Sequence, residues 1–195
     1  GRHHGSTHQI SQNLTDQKKA GYEILAPIVE RAKNGYYHIR GTEAHAGESG
    51  ENEEELARSL GAIPNAEGQY ARFDLWKEVG NGLVHFLHHI GTSSSNAYEA
   101  TAVNKELTEE FNESARWGHR PPNITIRSHR HRHLKITVPT AHGEGIAEIT
   151  PGWQAKTPFT WRIAGGRLAP PQFGGVLVKQ GDEELYTRSR VWTIG

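Results

Sequence analysis

No cysteine occurs among the 195 residues, which excludes disulfides, thiolate-bound metals and a cysteine nucleophile. Any metal must be held by imidazole or oxygen. Neither charge is in excess, since 22 Lys plus Arg balance 22 Asp plus Glu. No global basic field therefore draws nucleic acid, and partners have to be sought in local sites. No apolar run approaches the roughly 20 residues of a membrane-spanning helix, and the polar opening Gly1 to Gln9 has no signal-peptide pattern. A soluble, cytoplasmic protein without membrane partners is the expectation. Methionine is absent too and glycine stands first, the pattern of a fragment or processed product. Without repeats, low-complexity tracts or a linker, residues 1–195 read as one domain that buries roughly 70% of its unfolded surface.

What the chain does have is histidine, 13 in all, set among short β-like runs. Residues 15–33 carry Ala20, Ile24, Ile28 and Ala32 at near-helical spacing behind a Thr15 cap, with Pro27 expected to kink the helix. Residues 36–40 suggest a strand, 51–60 an acidic-fronted helix closed by Gly61, and 69–76 and 83–88 two strands. Asn96 to Trp117 aligns Ala97, Ala100, Val103, Leu107, Phe111 and Ala115 on one stripe, an amphipathic helix stopped by Gly118 and Pro121-Pro122. Six short strands then follow over 123–128, 134–138, 145–150, 159–163, 176–179 and 186–194. The pattern is α/β with a mixed sheet or two packed sheets.

Three of these strands end in ligand-capable residues. Tyr36 to Arg40 runs into Gly41-Thr42-Glu43-Ala44-His45, Leu83 to Leu87 into His88-His89, and Asn123 to Arg127 into Ser128-His129-Arg130-His131. In open α/β sheets sites lie outside the carboxyl ends of strands, so these strands are expected in one sheet with their ends at a common cleft. Alternate residues of an extended segment share a side, which would offer His129 and His131 to one pocket.

The three motifs, in this order, resemble those of the calcineurin-like metallophosphoesterases of phage and prophage type, whose strand-turn Gly-Asn-His, strand-terminal histidine and Gly-His-X-His are similar to Gly41 to His45, His88 and Ser128 to His131. Ile149 to Gln154 and Glu53 to Ala57 add to the likeness, which covers most of the chain. The resemblance implies mixed β-sheets in a sandwich flanked by helices. It implies hydrolysis of a phosphomonoester or phosphodiester, the substrate being a nucleotide or nucleic acid among other candidates. Two divalent ions drawn from Mn, Zn, Fe or Ni would polarise the phosphoryl group and activate water. It further implies His88, His129, His131 and Thr42 as metal ligands, His45 as the catalytic group near the leaving oxygen, and His89 and Arg130 in supporting positions around the ligands. Thr42 replaces the family's asparagine and Ser128 its glycine. The family's opening Asp-X-His and Gly-Asp motifs are absent, so the resemblance also implies missing N-terminal strands, a single weakly held metal and little catalysis.

Other readings stand beside this one. A non-catalytic interaction module could retain the fold while its histidines pack or bind a partner. A different histidine-based hydrolase could draw carboxylates from Glu43, Asp74 or Glu148. His85 is expected to be packed or exposed on its strand, and His3, His4 and His8 to form a polar tail. The arginines of 127–132 would greet phosphate or form a solvated edge. Trp153, Trp161 and Trp192 are expected in the core or an interface in preference to serving as base-stacking platforms.

Overall fold

A computed structural model describes residues 11–42, 49–91, 95–156 and 170–194. Its contacts group the chain into two compact units, Gly1–Asp74 and Leu75–Gly195. The expected strand over 159–163, together with His3, His4, His8, Glu43, His45 and Trp161, lies outside the described residues.

In the first unit α1 spans Leu14–Val29 and is capped by Asn13, whose side-chain oxygen accepts the Thr15 N–H at 2.9 Å. The expected Thr15 cap is therefore two residues late; Asn in the extended conformation reaches the orphan donors of the first turn, whereas Thr15 is already helical. Pro27 lies in the last turn, and the helix ends at Val29 instead of continuing to Lys33. The strand β1 (His38–Ile39) pairs in parallel with β2 (Ala71–Arg72). Between them α2 (Glu51–Ser59) buries Ala57 against Ala62 and Ala71. Both oxygens of Glu54 accept β2-side N–H groups, from Tyr70 and Ala71 at 2.8 Å each. Burial tends to raise the Glu54 pKa, but these bonds with Arg40 and Arg58 hold it below the ordinary carboxylate range.

The second unit is layered. A five-stranded mixed sheet has the order β3-β4-β5-β7-β6, formed by β3 (Asp74–Val79), β4 (Gly82–Leu87), β5 (Ile124–Arg127), β6 (Leu134–Thr140) and β7 (Gly143–Ile149). The expected single strand over 69–76 is thus two, β2 and β3. β4, β5 and β7 run parallel and β6 antiparallel to β7. All four residues of β5 are buried, as expected of a central parallel strand covered on both faces. Ile124 and Ile126 face a cluster with Val84, Ile146 and Leu185, roofed by Val176 and Val178. These last residues belong to the antiparallel pair β8 (Gln172–Gln180) and β9 (Leu185–Thr193). On the opposite face α3 (Glu99–Trp117) lays Val103 and Leu107 on Ala147 and Ile149. Gly118 closes α3 in the left-handed conformation at φ 69°.

The α/β expectation with packed sheets flanked by helix is met in this arrangement. One expectation is corrected: the strand leading to Gly41 is not in the sheet that carries His88 and Ser128. Its ladder is satisfied by β2, where the Arg40 N–H also donates to the Arg72 carbonyl at 2.8 Å. Of the two places expected for tryptophan, Trp153 and Trp192 do not take the core, being 73% and 56% exposed. Among the described residues no helix is long and apolar enough to cross a membrane.

Candidate functional site

The parallel order β4-β5-β7 places three strand ends side by side. β4 leads into His88-His89, β5 into Ser128 to His131, and β7 into Thr150-Pro151-Gly152. Their turns are tied together. The Ser128 N–H donates to the His88 carbonyl at 3.1 Å, and the Thr150 N–H to the Arg127 carbonyl at 2.8 Å. The hydroxyls of Ser128 and Thr150 share a hydrogen bond of 2.8 Å. Ser128, where the resembled motif has glycine, thus fastens two strand ends.

Three imidazoles gather at this edge. His88 Nε2 lies 3.3 Å from His129 Nδ1. The His129 ring stacks on His89 with centroids 5.1 Å apart, and His88 meets His89 edge-on at 5.5 Å. Two imidazole nitrogens bound to one zinc ion at about 2.0–2.1 Å with a tetrahedral angle lie about 3.3–3.4 Å apart. The His88–His129 pair therefore already has the spacing of two ligands of one ion. Without an ion the same contact is an N–H···N bond, which requires one ring to donate and the other to be neutral.

Burial favours the neutral form of two rings of this loop, His129 and His131. Burial lowers the His129 pKa first, and the nearby His89, His131 and Arg130 lower it further. Burial also lowers that of His131. A lowered pKa keeps the ring unprotonated, and only an unprotonated ring nitrogen can ligate.

The geometry of the loop differs from the extended segment that would aim His129 and His131 alike. β5 ends at Arg127, and His129 and His131 sit at φ 68° and 54°, the only non-glycine positive φ values among the described residues. The Arg130 N–H donates to the Ser128 carbonyl at 2.8 Å, closing a three-residue turn around His129. A left-handed non-glycine residue costs about 1–2 kcal/mol, and such strain clusters at functional loops. Gly152 admits this turn: a Cβ there would stand 2.8 Å from His131 Cβ and 3.0 Å from its Cα. Neither atom is the far end of a flexible chain, so Gly152→Ala is expected to displace His131 and destabilise the protein by about 1–3 kcal/mol. Thermal melting checks this, and an unchanged melting temperature would show that the loop yields freely.

The arginines of this stretch are committed elsewhere. Arg130 bonds the Gly91 carbonyl and lies beside Glu99, while Arg132 pairs with Glu99. Arg127 is 1% exposed and pairs through Nε with Glu106 at 2.8 Å and through Nη2 with Glu110. The expectation of phosphate-greeting or solvated arginines is corrected for Arg127, whose place on the helix-covered face of β5 sets it against two carboxylates of α3. His85, on the same face, joins this group, with Nδ1 2.7 Å from Glu110, and stacks on Trp76 at 4.0 Å. It is packed as expected, away from the imidazole edge. Sequence reasoning missed this network, although Glu106 and Glu110 stand one turn apart beside the apolar stripe.

The remaining candidates divide. Thr42 is half-buried in the first unit, where Glu53 accepts the Gly41 N–H at 2.8 Å. Asp74 is exposed at the start of β3. Glu148 is 1% exposed and meets His133 Nε2 at 2.7 Å on the sheet face turned toward β8 and β9. Among the described residues no group of three or more histidine or acidic side chains is placed to hold a metal ion. Among the described donors, His88 and His129 are the pair close enough to share one ion.

No protein-family model and no curated protein matches the sequence. Among solved structures, Vacuolar Protein Sorting 29 from Cryptosporidium parvum is similar at 9% identity and a TM-score of 0.40, covering 87% of this chain and 88% of that one. A single mutant of Vps29 from Entamoeba histolytica is similar at 13% identity and 0.39, covering 87% and 89%. A hypothetical protein from Thermus thermophilus is similar at 13% identity and 0.41, covering 90% and 94%. Likeness this weak assigns neither family nor activity.

Proposed function

We propose that this chain is a metallophosphoesterase-like module whose histidine edge binds one divalent cation and presents it to a phosphoester. The observation that carries this reading is the convergence of His88 Nε2 and His129 Nδ1 at 3.3 Å at the carboxyl ends of adjacent parallel strands. His88 and His129 are its ligands, His131 shapes the loop and stands beside them, and His89 holds the His129 ring by stacking. Burial holds the His129 pKa low, and the charge of Arg130 adds a smaller contribution. When bound, a divalent ion would polarise a phosphoryl oxygen. The proposed catalytic role of His45 and ligand role of Thr42 rest on the motif resemblance alone.

Turnover by this chain should be slow. No carboxylate among the described residues joins the two imidazoles, so those residues supply no bridge for an ion pair, with its several kcal/mol of transition-state stabilisation. The expected result with an aryl phosphate and added manganese is about one ion bound per chain and weak hydrolysis. Fast, metal-dependent turnover would overturn the account of the ligand set. Zinc or manganese affinity should hold at neutral pH, with burial depressing the His129 pKa below the ordinary imidazole value near 6.5. It is then lost as the rings protonate.

A second reading, a non-catalytic interaction module on the same scaffold, is favoured by the lack of a three-ligand group among the described residues. Metal content separates the two, since an interaction module gives no stoichiometric ion after dialysis.

A further inference from the structure

The outward face of the β8–β9 pair carries a strip of aromatic and basic side chains. Registered neighbours across the pair are Phe173 with Trp192, Gly175 with Arg190, Leu177 with Arg188, and Lys179 with Tyr186. Alternation sends these positions to one side while Val176 and Val178 roof the core on the other. Trp192 is 56% and Tyr186 43% exposed. Neither strand contains an acidic residue, and among the described residues Lys179, Arg188 and Arg190 make no ion pair.

One end of the strip is an aromatic cluster. Trp153 meets Phe173 edge-on at 6.2 Å and is pinned by its Nε1–H, which donates to the Gly174 carbonyl at 2.7 Å. Trp153 follows Gly152, the residue packed on His131, so the aromatic end borders the imidazole edge. From Trp192 to Tyr186 the strip is about 20 Å long at 3.2–3.4 Å per residue, with two arginines between the rings.

We infer that this face binds single-stranded nucleic acid, with bases stacked on Trp192 and Tyr186 and phosphates held by Arg188, Arg190 and Lys179. Aromatic rings interleaved with cations match a polyanion that carries flat, exposed bases. An acidic protein would use the cations but leave the rings without stacking partners, and a duplex hides its base faces. Closely spaced guanidiniums repel a second copy of the same face. The binding needs no metal, so it stands or falls apart from the proposed metal site.

The test is fluorescence anisotropy of a labelled dT12 oligonucleotide with the whole chain in EDTA, with tryptophan emission followed in parallel. Expected are saturable binding with tryptophan quenching, and a log–log salt slope of about −2 for three neutralised phosphates on a single strand. Trp192→Ala should weaken binding about fivefold or more, and an Arg188→Ala, Arg190→Ala double variant should flatten the slope to about −0.7. Circular dichroism establishes that these exposed substitutions leave the fold intact. A labelled rU12 arm distinguishes RNA from DNA as the preferred strand. Equal affinity for a 12-base-pair duplex, equal displacement by polyglutamate, or undiminished binding by Trp192→Ala would overturn the inference. So would sedimentation showing a dimer that Trp192→Ala dissolves, which would give the face to a second copy.

Discussion

Replacing Arg127 with alanine is expected to destabilise the protein by about 3–5 kcal/mol, the cost of removing one partner from a buried charge pair. The guanidinium is 1% exposed. It joins Glu106 and Glu110 of α3 to the sheet and also donates to the His85 and Ile126 carbonyls at 3.4 and 3.1 Å. Its loss strands two carboxylates, 24% and 13% exposed at the side chain, beside the apolar cluster of α3. Urea unfolding measures the loss, and a change below about 1 kcal/mol would contradict the network. Leucine at 106, 110 and 127 together should recover much of the deficit, because a buried ion network is often replaceable by apolar packing. The network also sets an acid limit. Burial tends to raise the Glu110 pKa, but His85 and Arg127 pull it below the usual value. Its stabilisation is therefore complete above the unfolded carboxylate value near 4.3 and is lost as pH falls toward the folded one.

Replacing His88 or His129 with alanine should each remove most divalent-metal affinity, and replacing both should cost far less than the sum, since residues serving one site are not independent. His85→Ala should leave metal binding nearly unchanged, because its ring lies on the helix-covered face with Glu110 and Trp76. His129→Gly adds a discriminating case. Glycine relieves the left-handed strain at φ 68°, so this variant should gain up to about 1 kcal/mol of stability while losing metal. A destabilised His129→Gly protein would make the ring a packing residue.

The architecture is legible in the sequence where periodicity is strong. The stripe of Val103, Leu107 and Phe111 marks α3, and its lower face meets β7 and β6 as that pattern requires. Ala97, Ala100 and Ala115 are exposed, Ala97 because it precedes the helix, and Ser114 takes a buried place on the stripe instead. The strand ends bearing His88 and Ser128 are readable from apolar runs stopping at polar residues, and they are neighbours in the sheet. Sheet membership is less legible: nothing local distinguishes the short β1, whose partner β2 is some thirty residues away. The charged network is hidden for a related reason. Arg127 reads as one more arginine in a basic stretch, and only the pairing of β5 beneath α3 places it between Glu106 and Glu110. The left-handed turns at His129 and His131 are invisible because no glycine marks them. The permissive glycine, Gly152, is on a different strand's end.

The most direct measurement of the central claim is X-ray absorption fine structure at the zinc edge on the zinc-loaded protein, compared with its His88→Ala, His129→Ala double variant. The account predicts at least two imidazole nitrogens at about 2.0–2.1 Å from the ion, with their outer-ring scattering absent in the double variant. A first shell of oxygen alone in the parent protein, or identical spectra for parent and variant, would contradict it.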